Sequence, residues 1–162
     1  MREIKFRGKD EDTGEWRYGG YHKHQIIEIC PVQFDGEIEE HKTPKYTHYI
    51  IMDGFADWNM EKPIMKSNVI GETIGQYTGC KDNNDKEIYE GDILKFNQYG
   101  DDRDYIARVE FGNPNGEYNW GWQLVFKEPF HLNNSILLWV EMDGVECEVI
   151  GNIYENPDLL GE

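Results

Sequence analysis

Short stretches of this chain alternate apolar and polar residues, and turn-forming residues such as glycine, asparagine and aspartate separate one stretch from the next. A repeat of two residues is the pattern of a β-strand with one covered face. No stretch keeps the i, i+3, i+4, i+7 apolar spacing of a helix for three turns. The sequence therefore predicts a mainly β fold with minor helix. The predicted strands span residues 4–7, 16–18, 24–34, 46–52, 73–77, 93–96, 105–111, 118–126, 136–140 and 145–154.

Turn sequences predict how these strands pair. Three turns join consecutive strands into hairpins, at residues 8–14, 112–116 and 143–144. The Gly-Asn-Pro-Asn-Gly segment at 112–116 is the strongest of them, because each of its residue types favours a turn. Asp, Asn and Pro interrupt residues 55–66, so we expect an irregular loop there that packs Phe55 and Trp58 on the core.

The order of these elements predicts two parts. We expect an N-terminal β unit at residues 1–68, followed by an SH3-like or partly open β-barrel with a C-terminal tail at residues 69–162. One compact domain over residues 1–162 is the alternative. Small barrels of the SH3 kind often place a Gly-Asp corner before a buried strand, and Gly91-Asp92 precedes the apolar pair Ile93-Leu94.

Cysteine usage and hydropathy limit the classes of protein. Cys30, Cys80 and Cys147 are odd in number and lack C-x-x-C spacing, which argues against a disulfide framework and against a zinc knuckle. No apolar run approaches the roughly 20 residues that cross a bilayer, and the first residues lack the apolar core of a signal peptide. The sequence predicts reduced thiols in a soluble protein of the cytoplasm.

The net charge of −16 is unevenly distributed. Residues 1–81 contain 11 Lys/Arg against 14 Asp/Glu, and residues 82–162 contain 5 against 18, so the two halves carry −3 and −13. A field of this sign repels nucleic-acid phosphates and anionic lipid, so nucleic acid is an unlikely partner and no membrane partner is expected. One set of basic residues could still form a local positive patch: Arg2, Lys5, Arg7, Lys9 and Arg17.

Three segments carry a resemblance to a known family. Residues 73–96 read T-I-G-Q-Y-T-G-C-K-D-N-N-D-K-E-I-Y-E-G-D-I-L-K-F, residues 1–9 read M-R-E-I-K-F-R-G-K, and residues 149–157 read V-I-G-N-I-Y-E-N-P. Together with Gly14-Glu15-Trp16 and Tyr18-Gly19, they resemble the core, the opening and the close of the YopX family of bacteriophage and prophage proteins. The resemblance spans residues 1 to about 160. It implies a phage or prophage protein inside a bacterial host, and it implies no particular activity.

Candidate metal sites have weak support in the sequence. In the Asp82–Asp85 segment, an EF-hand loop would need glycine at position 87 and glutamate at position 93, where Glu87 and Ile93 stand. This segment is better explained as a polar turn. His22 and His24 would share one side of a strand, but no recognised ligand spacing accompanies them, so we interpret them as surface histidines. We predict no metal and no cofactor.

Candidate catalytic groups are equally sparse. Acid pairs for a metal-dependent hydrolase could come from the loop that holds Asp101, Asp102 and Asp104, or from Glu90 and Asp92. Neither a G-x-S-x-G elbow nor a phosphate-binding glycine loop is present. The hydrolase is therefore an unlikely alternative, and Cys80 is better explained as an unreactive thiol.

Aromatic residues are abundant, at 14% of the chain. In small β proteins most such rings pack in the core, although exposed ones can stack bases or hold a proline-rich peptide. The predicted interaction surface combines aromatic and acidic residues: Trp16, Tyr18, Tyr77, Tyr89, Asp92, Asp101, Asp102 and Asp104.

The leading hypothesis from the sequence is a non-enzymatic protein-interaction module. Its acidic surface would bind a host or phage protein, and opposite charge favours a basic one. Self-association into a homo-oligomer is a further expectation. The alternative is a nucleic-acid-binding accessory protein that uses the basic aromatic hairpin around Trp16 and Tyr18.

Overall fold

The computed structural model describes residues 3–26, 45–55, 61–98, 103–114, 116, 120–127, 135–136, 140–141 and 143–161. Strands dominate these residues, which confirms the mainly β prediction. The strands are β1 Phe6–Lys9, β2 Trp16–Ile26, β3 Lys45–Asp53, β4 Ile64–Val69, β5 Gly75–Lys81, β6 Glu87–Tyr89, β7 Asp92–Gln98, β8 Asp104–Gly112, β9 Gly121–Phe126 and β10 Val145–Asn152. Short 3₁₀ helices occupy Gly71–Thr73 and Pro157–Leu160.

Contacts within the chain define two compact units. The N-terminal unit is Arg7–Ile74, and the C-terminal unit combines Met1–Phe6 with Gly75–Glu162. The sequence predicted a single boundary after residue 68, whereas the chain passes between these units after Phe6 and again after Ile74.

The N-terminal unit is an antiparallel sheet in the order β4-β3-β2-β1. Ile50 and Val69 are fully buried in it. The backbone N–H of Ile70 donates a hydrogen bond to the carbonyl of Lys9, at 2.9 Å. The predicted hairpin at residues 8–14 is confirmed, because β1 and β2 are neighbours.

Two expectations in the N-terminal unit are corrected. β4 begins at Ile64, so the end of the predicted loop at 55–66 is a strand. Phe55 is 88% exposed and does not pack on the core. Trp58 and residues 27–34 of the strand predicted at 24–34 lie outside the described residues.

The C-terminal unit contains a four-stranded antiparallel sheet in the order β10-β7-β8-β9, and β5 pairs with β6. The predicted hairpin across residues 112–116 is confirmed by the pairing of β8 with β9. The core collects buried apolar residues of these strands: Cys80, Ile88, Leu94, Phe96, Ala107, Val109, Leu124, Val145, Cys147 and Val149. Ile136, which lies outside the strands, packs with them.

The partner of β10 differs from the prediction. It pairs with β7, and the described members of the predicted partner strand, Ile136 and Val140, are helical. A short apolar run does not distinguish a strand from a buried helical turn, which explains the error. The sheets are antiparallel and are not closed into a barrel. The SH3-like barrel expected for residues 69–162 is therefore corrected to open antiparallel sheets.

Candidate interaction surfaces

The loop between β5 and β6 covers the free edge of β10. Asp82 is buried, and its Oδ1 accepts the N–H groups of Asn84 and Lys86, each at 2.9 Å. Its Oδ2 accepts the N–H of Val149 at 3.0 Å, one strand away. An uncovered edge strand invites pairing with other chains, so this loop protects β10. The interpretation of this segment as a polar turn is confirmed.

Asn83 completes the covering of that edge. Its backbone N–H donates to the carbonyl of Cys147 at 3.0 Å, and its Oδ1 accepts the N–H of Cys147 at 2.6 Å. Asp85, which follows in the loop, has the positive φ of 65° that Asp tolerates better than most residues. The segment that carries the family resemblance therefore has a structural role on β10.

Three residues of the predicted interaction surface lie in the interior. Tyr77, Tyr89 and Asp92 are 8%, 2% and 1% exposed. The two tyrosines face one another across β5 and β6, with ring centroids 5.5 Å apart. The carboxylate of Asp92 accepts the N–H of Tyr89 at 2.8 Å, beside Gly91 with its φ of 80°. Their burial removes them from any accessible surface.

Glu87 ties the start of the chain to this hairpin. The Lys5 ammonium lies 2.6 Å from Glu87 Oε2, and the Tyr89 hydroxyl donates to the same oxygen at 2.6 Å. Burial alone would raise the pKa of Glu87, but the hydrogen bonds from Lys5 and Tyr89 outweigh it and lower that pKa. Lys5 is thus engaged inside the chain.

Other members of the basic N-terminal set are engaged as well. The Arg7 guanidinium is buried and lies 4.7 Å from the ring centroid of Trp16, which is itself half-buried. Arg17 contacts Asp10 and Glu15, each at 3.2 Å. Lys5 and Arg17 are therefore paired with carboxylates, and Arg7 lies against an aromatic ring.

The acidic loop is described only in part. Asp101 and Asp102 lie outside the described residues. Asp104 is exposed, lies 3.3 Å from the Lys95 ammonium, and has a pKa that hydrogen bonds from Asn97 and Lys95 lower. In the part of the chain that the structure describes, no three His, Cys, Asp or Glu side chains converge to hold a metal ion.

The remaining reactive candidates are held in the interior. Burial raises the pKa of Glu90, although N–H groups of Gln76 and Phe111 oppose that shift. Cys80 and Cys147 are buried free thiols, and burial raises the pKa of Cys147 to about 12. The Cys147 thiol therefore stays protonated at neutral pH.

Exposed carboxylates on β10 form the first candidate surface. Alternation along this strand buries Val145, Cys147 and Val149 and exposes Glu146 and Glu148. These two glutamates border a polar cavity of about 420 Å³ that reaches the covering loop. The other lining residues are Asn83, Asn84, Lys95, Asn97 and Cys147.

Cations of the C-terminal unit do not offset these carboxylates, because each described one has a partner within the chain. Four are ion pairs: Lys5–Glu87, Lys81–Asp85, Lys95–Asp104 and Arg108–Glu110. Three others contact a backbone carbonyl or a ring: Lys86 with Val149, Lys127 with Leu159 and Arg103 with Tyr105. Six exposed acids have no side-chain partner among the described residues: Glu3, Glu141, Asp143, Glu146, Glu148 and Asp158.

A groove on the N-terminal unit forms the second candidate surface. It has a volume of about 170 Å³ and is lined by side chains of three strands: His22, His24, Tyr49, Ile51 and Lys66. His22 and Tyr49 are opposite each other in the ladder, as are Ile51 and Lys66. Sequence reasoning identified the two histidines but missed the other three, because only the strand register brings them together.

Exposed aromatic residues occur in both units. Tyr18 is 45% exposed on β2, and Phe111 and Trp120 of the C-terminal unit are 55% and 76% exposed. Phe111 also makes an edge contact with Trp122, at a centroid distance of 4.9 Å. Of the predicted surface aromatics, therefore, Tyr18 is the most accessible.

The chain is similar to known proteins in sequence and in structure. The model of the family described as YopX protein matches residues 5–161, which confirms the resemblance seen in the sequence. The chain is also similar to the crystal structure of protein EF1440 from Enterococcus faecalis, with 25% identity over 99% of each chain and a TM-score of 0.44. No curated protein matches. Within the described residues, no helix has the length and apolar character needed to span a lipid bilayer.

Proposed function

The chain belongs to the YopX protein family, and from that premise we propose that it is a non-enzymatic phage or prophage protein whose C-terminal unit binds a basic host or phage protein. The observation that carries the proposal is the imbalance between engaged cations and exposed carboxylates in that unit. Its described cations are engaged internally, while carboxylates such as Glu146 and Glu148 are exposed and lack a side-chain partner among the described residues.

Electrostatics supports a binding role more than a stabilising one for these groups. Exposed carboxylates that pair with nothing in their own chain repel one another and contribute no stability. The same groups attract a cationic partner and accelerate its encounter, and salt screens that attraction over about 8–10 Å. The cavity between β10 and the covering loop offers asparagine amides that can orient such a partner.

Binding of a labelled Lys/Arg-rich peptide, measured by fluorescence anisotropy, tests the proposal. We expect Glu146→Gln/Glu148→Gln to weaken binding by roughly three- to tenfold, because each exposed ion pair contributes about 0.2–1 kcal/mol. Added salt should weaken binding to the unaltered protein.

A charge-matched control distinguishes binding at Glu146 and Glu148 from general attraction of the peptide to a negatively charged protein. Glu11→Gln/Glu72→Gln removes two exposed charges from the N-terminal unit and changes the net charge by the same amount. Equal weakening by both double variants, or binding indifferent to salt, would contradict the proposal. Light scattering at the same protein concentrations distinguishes partner binding from a homo-oligomer.

A further inference from the structure

The groove on β2, β3 and β4 presents polar groups and rings that have few contacts inside the chain. His22 and His24 are exposed, and their ring contacts among the described residues are with each other and, for His22, with Tyr49. The Lys66 ammonium lies 4.5 Å from the ring centroid of Tyr49 and, within the described ranges, enters no ion pair. Within the described ranges these groups contact one another, and His22, His24 and Lys66 remain exposed and therefore accessible to a ligand.

The rings follow the repeat of the strand. Tyr18, His22 and His24 lie on the same side of β2, because each is an even number of residues from the next. Positions two apart on a strand are separated by about 6.5 Å, which spaces rings along one direction of the sheet. His22 stacks on Tyr49 of the neighbouring strand, with centroids 6.4 Å apart and planes 22° from parallel. The face therefore presents a short row of flat groups.

The chemistry of the groove fits an anion that carries flat rings. Lys66 supplies a positive charge, and the imidazoles supply N–H donors, which are groups that bind phosphate oxygens. Aromatic rings exposed on an antiparallel sheet stack nucleobases. A metal ion is disfavoured, because two histidines beside an ammonium give too few ligands and a repelling charge.

We propose that this face of the N-terminal unit binds single-stranded nucleic acid. Phosphates contact Lys66 and the imidazole N–H groups, and bases stack on the exposed rings of His22 and His24. This interaction is independent of the basic protein partner proposed above, since it uses a different unit and an opposite charge. Asp53, two residues beyond Ile51 on β3, repels phosphates and directs the strand toward His24.

The binding is expected to be weak and sensitive to salt. The net charge of −16 opposes any polyanion, so few phosphates can be held closely. One or two phosphate contacts predict a loss of affinity of roughly 5- to 25-fold between about 20 and about 200 mM salt.

Anisotropy of a labelled oligothymidylate of about 12 nucleotides at low salt tests the proposal. Lys66→Gln and His22→Ala/His24→Ala should each weaken binding, the double variant by at least about fivefold. Lys23→Gln is the matched control, because Lys23 is exposed on the opposite face of β2, over the ring of Tyr46. It should leave the affinity unchanged.

Several outcomes would overturn the proposal. They are no binding to the unaltered protein at low salt, equal weakening by Lys23→Gln and Lys66→Gln, and a duplex of the same length binding as tightly. Competition by thymidine monophosphate at an equal phosphate concentration would also overturn it, since that result indicates a small anion pocket. Circular dichroism of each variant confirms that the exposed substitutions leave the fold intact.

Discussion

The two units treat their charged side chains in opposite ways. In the C-terminal unit the described cations are held by internal contacts, and carboxylates such as Glu146 and Glu148 remain at the surface. In the N-terminal unit Arg7 and Arg17 are engaged, but Lys66 and two histidines surround an open groove. The net charge of a segment therefore says less about its partners than the identity of the groups that internal contacts leave available.

Each unit also uses a buried aspartate to organise a turn. Asp10 Oδ1 accepts the N–H groups of Asp12 and Thr13, at 3.0 and 2.9 Å, much as Asp82 serves its own loop. Asp82 differs because it also bonds Val149 on a distant strand. The comparison predicts that the C-terminal unit depends more on its aspartate than the N-terminal unit does.

The largest expected effect is that of Asp82→Ala. Three backbone N–H groups lose their acceptor, and a buried donor without a partner costs about 1–3 kcal/mol. Partial rescue by water reduces the total, so we expect a loss of roughly 2–4 kcal/mol in the free energy of unfolding, measured with urea. Asp82→Asn keeps one carbonyl acceptor and should cost about half as much. A change below about 0.5 kcal/mol for Asp82→Ala would show that the loop does not hold β10.

A smaller effect is expected in the sheet that forms the groove. A Cβ at Gly19 would lie 2.1 Å from the carbonyl oxygen of Ile51, so Gly19→Ala should cost about 1–3 kcal/mol. A Cβ at the adjacent Gly20 would lie 3.9 Å from that same oxygen, in ordinary contact. Equal unfolding free energies for Gly19→Ala and Gly20→Ala would contradict the register that brings Tyr49 beside His22.

The smallest expected effect is on the pH dependence of the unfolding free energy in acid. The backbone N–H of Thr13, together with Arg17, holds the pKa of Asp10 well below its ordinary value of 3.8. A depressed pKa in the folded state stabilises the protein above the ordinary value, and that stability is lost as the pH falls below it. Asp10→Asn should therefore unfold with a shallower dependence on pH below about 4. An unchanged acid limb in urea titrations would argue against this role of Asp10.

The sequence predicts the strands better than their pairing. Alternation identifies β8 and β10 directly, and it also shows which side of β10 exposes its glutamates. The covering loop and the Lys5–Glu87 pair join residues far apart in the chain, so no local pattern reports them. Strand register alone places Tyr49 and Lys66 in the groove. The burial of Tyr89 likewise depends on its pairing with Tyr77, which the local sequence does not report.

The central claim is that exposed charged groups without an ion-pair partner among the described residues mark the surfaces that bind. It is tested most directly by a ¹⁵N chemical-shift titration with a Lys/Arg-rich peptide. The amides of residues 95–97 on β7 and 146–148 on β10 should shift most, while those of β2, β3 and β4 stay unchanged. Shifts spread evenly over both units, or concentrated beside the groove at His22 and Tyr49, would contradict the claim.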